Sequence, residues 1–254
     1  MIFLIANQLL QIVFRLILFV WTSWNDFWTW MSSTNRCDVD EEWWKRKTRG
    51  FPGLPTHLAL NISGREARDM EAIAEVIAAV CVLRIPLFTL YDRRGYLKDE
   101  AIALEEMIKK KRVHISDGMP NRTWRCHIHI MNRGDCDIPH TTGTLIMIAS
   151  QDDGKQDIVR AAQILCSEGG TITAERLEST LCTRGIRDVE LMIVTGTRKT
   201  VRSFFPWQIR LTEIEFVTSL EDLMPDGLIR AFDNYSKKEQ AFSWRQTSKR
   251  DRNE

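Results

Sequence analysis

The chain has 254 residues, of which 44% are hydrophobic and 27% charged, the balance of a foldable globular protein rather than a disordered one. Thirty-five basic and thirty-four acidic side chains leave a formal charge of +1, which argues against binding nucleic acid through a broad cationic face. Six cysteines without paired spacing argue against a secreted disulfide scaffold and favour reduced thiols.

The N-terminal segment is strongly apolar. Residues 2–20 (IFLIANQLLQIVFRLILFV) are mostly Ile, Leu, Val and Phe, and at 1.5 Å per residue such a run just covers a hydrocarbon core of roughly 30 Å. Residues 1–31 are therefore predicted to form a membrane anchor helix. Trp21, Trp24, Trp28 and Trp30 follow as an interfacial aromatic belt, and four basic residues then favour a cytoplasmic location for the next domain: Lys45, Arg46, Lys47 and Arg49.

Two other interpretations of this segment were weighed. A cleaved signal peptide requires a basic start and a small-residue cleavage site, and neither is present. A helix lying in the membrane interface stays open, because Arg15 at mid-span is costly in lipid. Both the spanning and the interfacial helix hold the chain at a membrane.

Gly and Pro residues between 50 and 55 separate a juxtamembrane linker (32–53) from a domain at 54–240, which a polar tail (241–254) follows. Short apolar runs predict six strands: His57–Ile62, Pro86–Tyr91, Arg125–Met131, Thr144–Ala149, Val189–Val194 and Glu213–Val217. Helical periodicity or end signals predict helices at Met70–Cys81, Lys98–Lys111, Lys155–Ser167, Thr173–Arg184 and Asp226–Glu239. This β-α-β rhythm predicts an α/β fold with a mostly parallel sheet flanked by helices. Ligands of such sheets bind beyond the carboxyl ends of the strands, which here means after Ile62, Tyr91, Ala149 and Val194.

Four ordered stretches carry a family resemblance. They are LPTHLALNISG (54–64), TLIMIASQDDGKQDIVRAA (144–162), GTITAERLESTLCTRGIRDVELMIVTG (170–196) and FFPWQIRLTEIEF (204–216). They are similar to P-x-H-V-A-I-I-M-D-G-N, T-L-N-I-A-L-S-Y-G-G-R-x-E-I-V-x-A, I-T-x-x-x-L…G-x-P-D-x-D-L-L-I-R-T-G and F-L-P-W-Q-x-x-Y-T-E-x-x-F of the cis-prenyltransferases. That family includes undecaprenyl and dehydrodolichyl diphosphate synthases, and the chain most resembles their membrane-anchored accessory subunits.

The chain departs from the catalytic members at the residues that bind diphosphate. Ser63 stands where the resemblance implies an Asp that holds Mg²⁺, and a hydroxyl replaces a carboxylate poorly as a magnesium ligand. Val194 and Thr200 stand where two phosphate-binding arginines are implied, and Arg198 and Arg202 keep positive charge nearby, either at a site or in a solvated loop. In its local sequence, Ser63-x-x-Glu66 has the form of a capping box and predicts the start of the first helix.

Two C-terminal features bear on a partner. Glu213 matches a carboxylate that, in catalytic members, helps to bind Mg²⁺ across a dimer; here it suits a partner's site or a structural hydrogen bond better than a metal site in this chain alone. The tail has Ala241-Phe242-Ser243 where an Arg-x-Gly motif is implied, and Arg245 is a candidate substitute. The resemblance implies a pairing surface among the last strands and helices, with these candidates: Trp207, Ile209, Leu211, Ile214 and Phe216.

The resemblance thus implies a non-catalytic subunit of dehydrodolichyl diphosphate synthase, inert or nearly so alone, at the endoplasmic reticulum membrane with its domain facing the cytosol. The complex would condense isopentenyl diphosphate onto farnesyl diphosphate for dolichol synthesis and protein glycosylation, and a catalytic partner would bind Mg²⁺. A membrane receptor or scaffold with a degenerate fold and a self-sufficient homodimeric synthase are the alternatives. A zinc site at Cys126, His127, His129, Cys136 and His140 is disfavoured, because Cys126 and His129 point to opposite faces of a strand.

Overall fold

The computed structural model describes residues 15, 41–116, 126–131, 138 and 142–250, with the backbone alone for 111–116 and 239–250. The chain divides into two units, residues 1–39 and residues 40–254, and every element below belongs to the second. The predicted anchor at 1–31 lies outside the described residues, apart from Arg15. In the part of the chain that is described, no helix has the length and apolarity needed to cross a bilayer.

Six strands of the described residues form one sheet, in which every neighbouring pair is parallel. They are β1 His57–Ile62, β2 Leu87–Asp92, β3 Cys126–Ile130, β4 Thr144–Ala149, β5 Leu191–Thr195 and β6 Glu213–Val217, in the order β3-β4-β2-β1-β5-β6. The prediction is confirmed to the residue for β1, β4 and β6 and within two residues for the others. All residues of β1, β4 and β5 are buried, as expected for parallel strands that are covered on both faces.

The α-helices lie between the strands and at the two ends of this unit. They are α1 Glu41–Thr48, α2 Met70–Val82, α3 Tyr96–Asp99, α4 Ala101–Ser116, α5 Lys155–Glu168, α6 Ala174–Thr180 and α7 Asp226–Arg250. Two short 3₁₀ helices, Glu66–Arg68 and Gln151–Asp153, follow the carboxyl ends of β1 and β4.

Two predicted helices differ from the structure. The helix predicted at 98–111 is two helices, because Glu100 between them has a non-helical conformation (φ −102°, ψ 19°). The helix predicted at 173–184 ends at Thr180, because the buried Asp157 carboxylate accepts from the main-chain amides of Cys182 and Thr183 at 3.1 and 3.3 Å. Those amides are therefore unavailable to a helix.

The predicted juxtamembrane linker contains helix α1, which the sequence analysis did not foresee. Trp44 of this helix is only 2% exposed, and α1 packs against α2. Residues 41–48 are thus part of the folded unit. The expectation of reduced thiols is wrong for Cys182, which is disulfide-bonded, whereas Cys81, Cys126 and Cys166 form no disulfide.

An aromatic core on one face of the sheet supports the loop that follows β5. Tyr91 of β2 meets Phe204 edge-on with ring centroids 5.2 Å apart, and Phe204 and Phe205 are 4.9 Å apart. All three side chains are at most 1% exposed. The two phenylalanines therefore hold residues 196–205 against the sheet, next to the carboxyl ends of its central strands.

Candidate functional site

The segments predicted to surround a ligand meet at one edge of the sheet. Because the strands are parallel and in register, with Ile62 opposite Asp92 and Tyr91 opposite Ala149, their carboxyl ends lie side by side. Thr195 ends β5 next to β1 at the same edge. We call this the carboxyl edge. It is where sheets of this topology bind ligands.

Glu66 is the centre of a hydrogen-bond cluster at the carboxyl edge, and the sequence analysis gave it only a capping role. One carboxylate oxygen accepts from the hydroxyls of Ser63 and Thr195, each at 2.5 Å. The other accepts from the main-chain amide of Leu220 at 2.8 Å. The prediction that Ser63 caps the helix after β1 is therefore wrong. Asp69 caps that helix, α2, by accepting from the amide of Ala72 at 3.0 Å. We call Ser63, Glu66 and Thr195 the Glu66 cluster.

Arg202 turns inward beside this cluster. Its guanidinium donates to the carbonyl oxygen of Thr195 at 2.5 Å and to the side-chain oxygen of Asn61 at 3.1 Å. Partial burial lowers the pKa of Arg202 from its ordinary value, while the nearby Glu66 carboxylate acts in the opposite direction. This guanidinium is occupied with groups of its own chain.

The other positions expected to bind diphosphate do not converge on Arg202. Val194 is fully buried in the core cluster below the edge, where its side chain meets no solvent. Thr200 and Arg198 are exposed in the loop after β5, and Thr200 accepts from the amide of Arg202 at 3.4 Å. The structure therefore brings Ser63 and the Arg202 guanidinium together beside Gly196. Val194 lies in the core instead, and Arg198 and Thr200 lie in the exposed loop, where Thr200 meets the main chain of Arg202.

Glu213 lies at the amino ends of the strands, on the side of the sheet opposite the carboxyl edge. It begins β6 and faces Leu191, whereas Val217, four residues on, faces Thr195 at the carboxyl edge. Four residues of strand span about 13 Å, so Glu213 and Ser63 of one chain cannot hold the same ion. The Glu213 carboxylate accepts instead from the amine of Lys238 on α7. Arg245 lies further along α7, where the backbone alone is described.

The candidate interface residues lie on and before β6, which is an edge strand of the sheet. Leu211 is 87% and Phe216 37% exposed, and Lys199 approaches the Phe216 ring at 5.9 Å. Ile209 and Ile214 pack partly against the core. The indole nitrogen of Trp207 is buried without a hydrogen-bond partner in the described residues.

Two further carboxylates at the carboxyl edge are engaged within the chain. Asp92 accepts from the amides of Arg94 and Leu97 at 3.1 and 3.3 Å, which begins α3. Asp153 forms an ion pair with Lys98 at 2.6 Å and accepts from the Ser150 amide at 2.7 Å. The sequence analysis missed both, although Ser150-x-x-Asp153 is itself a capping pattern.

No three His, Cys, Asp or Glu side chains are arranged as metal ligands in the described parts of the chain. Cys126, His127 and His129 lie on β3, and Cys136 and His140 lie outside the described residues. In the Glu66 cluster the oxygens are two hydroxyls that donate to Glu66 and a carboxylate that already accepts three hydrogen bonds. The Asp92 and Asp153 carboxylates at the same edge are engaged with main-chain amides and with Lys98. This donor set does not fit Mg²⁺, which needs carboxylate or phosphate oxygens free to coordinate.

A prenyltransferase family model, described as "Putative undecaprenyl diphosphate synthase", matches residues 87–243, which is more than half of the chain. The chain therefore belongs to this family, as its motifs predict.

The known proteins that are similar to this chain include the following three. The dehydrodolichyl diphosphate synthase complex subunit Nus1 of Mus musculus is 25% identical over 205 residues, with 78% of this chain and 68% of that protein covered. The isoprenyl transferase of Treponema pallidum (strain Nichols) is 25% identical over 209 residues, with 72% and 90% covered. The crystal structure of lavandulyl diphosphate synthase from Lavandula x intermedia has a TM-score of 0.51 at 17% identity, with 72% of this chain and 95% of that chain covered, which shows a common fold.

Proposed function

We propose that this chain is the non-catalytic subunit of a dehydrodolichyl diphosphate synthase complex. It pairs with a catalytic cis-prenyltransferase and holds it at the endoplasmic reticulum membrane, with the folded domain in the cytosol. The complex extends farnesyl diphosphate with isopentenyl diphosphate and so supplies dolichol for protein glycosylation. Similarity to Nus1 supports the assignment to such a complex, and the apolar residues 2–20 support the membrane attachment.

The Glu66 cluster is the observation that carries the non-catalytic assignment. Ser63 occupies the position at which catalytic members are expected to hold the metal carboxylate, and its hydroxyl is committed to Glu66 at 2.5 Å. Both carboxylate oxygens of Glu66 accept hydrogen bonds, which come from Ser63, Thr195 and Leu220. The Glu66 carboxylate thus already accepts three hydrogen bonds from its own chain, which makes it a poor ligand for a metal that would neutralise a diphosphate.

The cationic groups support the same conclusion. The Arg202 guanidinium donates to three oxygen atoms of Asn61 and Thr195, and Val194 is buried where a guanidinium is expected. Each lost interaction with the ionising diphosphate is worth several kcal/mol of transition-state stabilisation, and about 1.4 kcal/mol is a factor of ten in rate. The bond between carbon and the leaving diphosphate would therefore ionise too slowly in this chain for useful synthesis.

Strand β6 supports the pairing. Leu211 and Phe216 leave apolar surface exposed at an edge strand, which is a surface that a partner can cover. In such a pair the partner supplies the Mg²⁺-binding carboxylate and the arginines, and this chain supplies the anchor and the dimer surface.

The test is to express this chain alone, a catalytic cis-prenyltransferase alone, and the two together, and to assay each for long-chain polyprenyl diphosphate. We expect product from the pair, little from the partner alone and none from this chain. The control is a pair in which the partner lacks its metal-binding Asp, and this pair should be inactive. Product from this chain in isolation contradicts the proposal.

A self-sufficient homodimeric synthase is the second candidate. The similarity to the Treponema pallidum isoprenyl transferase, which extends over 90% of that protein, favours it. The same assay separates the two, because only a homodimeric synthase makes product without a second polypeptide.

A further inference from the structure

Helix α1 and the turn after it carry a cluster of exposed cations. Lys45, Arg46, Lys47 and Arg49 all have exposed side chains. We call these four residues the basic face. Residues 41–49 carry a net charge of +2, because Glu41 and Glu42 oppose the four cations, and Asp38 and Asp40 precede this segment in the sequence. The positive charge of the basic face is therefore confined to residues 45–49.

Much of this charge is not neutralised within the described structure. Lys45 pairs with Glu41, and Lys47 lies over the ring of Trp43 at 5.5 Å. Arg46 and Arg49 make no ion pair with any described residue. Two guanidiniums are thus available for anions from outside the chain.

The basic face is held rigidly on the domain. Trp44 is 2% exposed and anchors α1, which packs against α2, and its ring meets Trp43 edge-on at 5.1 Å. At 100° per residue, Arg46 points away from Trp44, in agreement with its exposure, and Arg49 is exposed in the turn that follows the helix. The turn after α1 is closed by a hydrogen bond from the Phe51 amide to the Thr48 carbonyl at 3.0 Å. A ligand bound to the basic face therefore orients the domain and not merely a tether.

We propose that the basic face binds the headgroups of anionic phospholipids and so docks the domain on the bilayer surface. In the sequence it follows the apolar segment 2–20 and its tryptophan belt, and clusters of Lys and Arg in that position are attracted to anionic leaflets. The inference rests on the membrane attachment in the proposed function and adds a lipid class and an orientation to it.

The test is chemical footprinting of the full-length chain in nanodiscs of phosphatidylcholine, without or with about a third phosphatidylserine. The rates of acetylation of Lys45 and Lys47 are measured by mass spectrometry, with exposed Lys237 as internal reference. We expect the two lysines to react roughly fivefold more slowly in the anionic discs, the factor that one cation near an anionic surface supplies. High salt should abolish the difference.

Variants identify the residues responsible. The double variant Arg46→Gln and Arg49→Gln should lose most of the protection, whereas Arg184→Gln, an exposed arginine elsewhere, should keep it. Equal rates in the two kinds of disc overturn the proposal. So does equal protection by inorganic phosphate in detergent, which would indicate a site for soluble anions.

The experiment distinguishes a failure of the membrane attachment from a failure of the basic face to bind lipid. A chain that does not co-elute with phosphatidylcholine discs lacks the anchor, and protection in the phosphatidylserine discs still decides whether the basic face binds anionic lipid. The two proposals can therefore fail independently.

Discussion

The phenol of Tyr91 donates a 2.7 Å hydrogen bond to the carbonyl oxygen of Arg202, a residue that is held at φ +46°. This bond joins β2 to the loop after β5 across 111 residues of chain. It helps to keep the Arg202 guanidinium directed at Asn61 and Thr195. The aromatic core thus helps to determine the position of the Arg202 guanidinium at the carboxyl edge.

Tyr91→Phe removes this bond but keeps the ring. We expect the free energy of unfolding to fall by about 1–2 kcal/mol, because the Arg202 carbonyl loses its donor. Burial also raises the pKa of Tyr91 far above its ordinary value, so titrating both proteins to about pH 11 should give the same phenolate absorbance. A smaller absorbance change in the variant would show that Tyr91 is accessible to base.

Ser63→Asp tests the Glu66 cluster. The introduced carboxylate would meet Glu66, which now accepts from Ser63 at 2.5 Å, and two carboxylates repel at that distance. We expect a loss of about 1–3 kcal/mol in the free energy of unfolding and no gain of prenyl transfer by the chain alone. Ser63→Ala is the control, which loses the hydrogen bond without adding charge and should cost less. Elongation by the Ser63→Asp chain would mean that one carboxylate is enough to restore the site.

Gly154→Ala tests the support of the loop after β5. A Cβ at this position would lie 2.9 Å from the main-chain oxygen of Ser203, which has φ +65° and little freedom to move. We expect a loss of about 1–3 kcal/mol of stability, as in other overpacked sites. Gly53→Ala is the matched control, because nothing lies within 4 Å of its Cβ. Equal thermal unfolding of the two variants would contradict the close approach.

His57 predicts a dependence of stability on pH. Burial lowers its pKa from 6.5 to about 4. The neutral ring donates from Nδ1 to the Arg187 carbonyl at 2.7 Å and accepts at Nε2 from the Thr89 hydroxyl at 2.9 Å. Its contribution to stability is present above pH 6.5 and is lost as the pH falls towards 4, because the unfolded chain takes up the proton first. This difference in the pKa of His57 between the folded and the unfolded chain corresponds to about 3 kcal/mol in the free energy of unfolding.

The measurement is the free energy of unfolding at several pH values between 7 and 4, as the range of the His57 titration requires. The variant His57→Gln should lose this part of the pH dependence, and His127→Gln, at an exposed position on β3, should retain it. If the free energy of unfolding changes with pH equally in the parent and in His57→Gln, other groups cause the pH dependence.

Leu211→Asp tests the proposed pairing through β6. Leu211 is 87% exposed in the single chain, so the substitution should leave its fold intact. If a partner covers this side chain, an unpaired carboxylate there should weaken co-purification with the catalytic subunit by roughly tenfold or more. Ile172→Asp, at another exposed apolar position, is the control. Equal recovery of the partner by both variants would exclude Leu211 from the interface.

The sheet and the family could be predicted from the sequence alone. Strands that are covered on both faces need largely apolar runs, and such runs predicted β1 and β4 to the residue. The edge strand β6, in which charged and apolar residues alternate, was also predicted to the residue. The four ordered motifs led to the family that the match over residues 87–243 establishes. The replacements at Ser63 and Val194 were evident from the same motifs, because a lost carboxylate or guanidinium is a property of the residue type.

The consequences of those replacements depend on contacts between distant parts of the chain. Thr195 donates to Glu66 from 129 residues away and Leu220 from 154, and no local pattern encodes such contacts. Parallel register places Glu213 at the edge opposite Ser63, and Asp157 ends α6 through amides 25 and 26 residues further along. Hydrogen bonds between distant segments depend on where the packed core brings their main chains together, and periodicity and residue type do not carry that information.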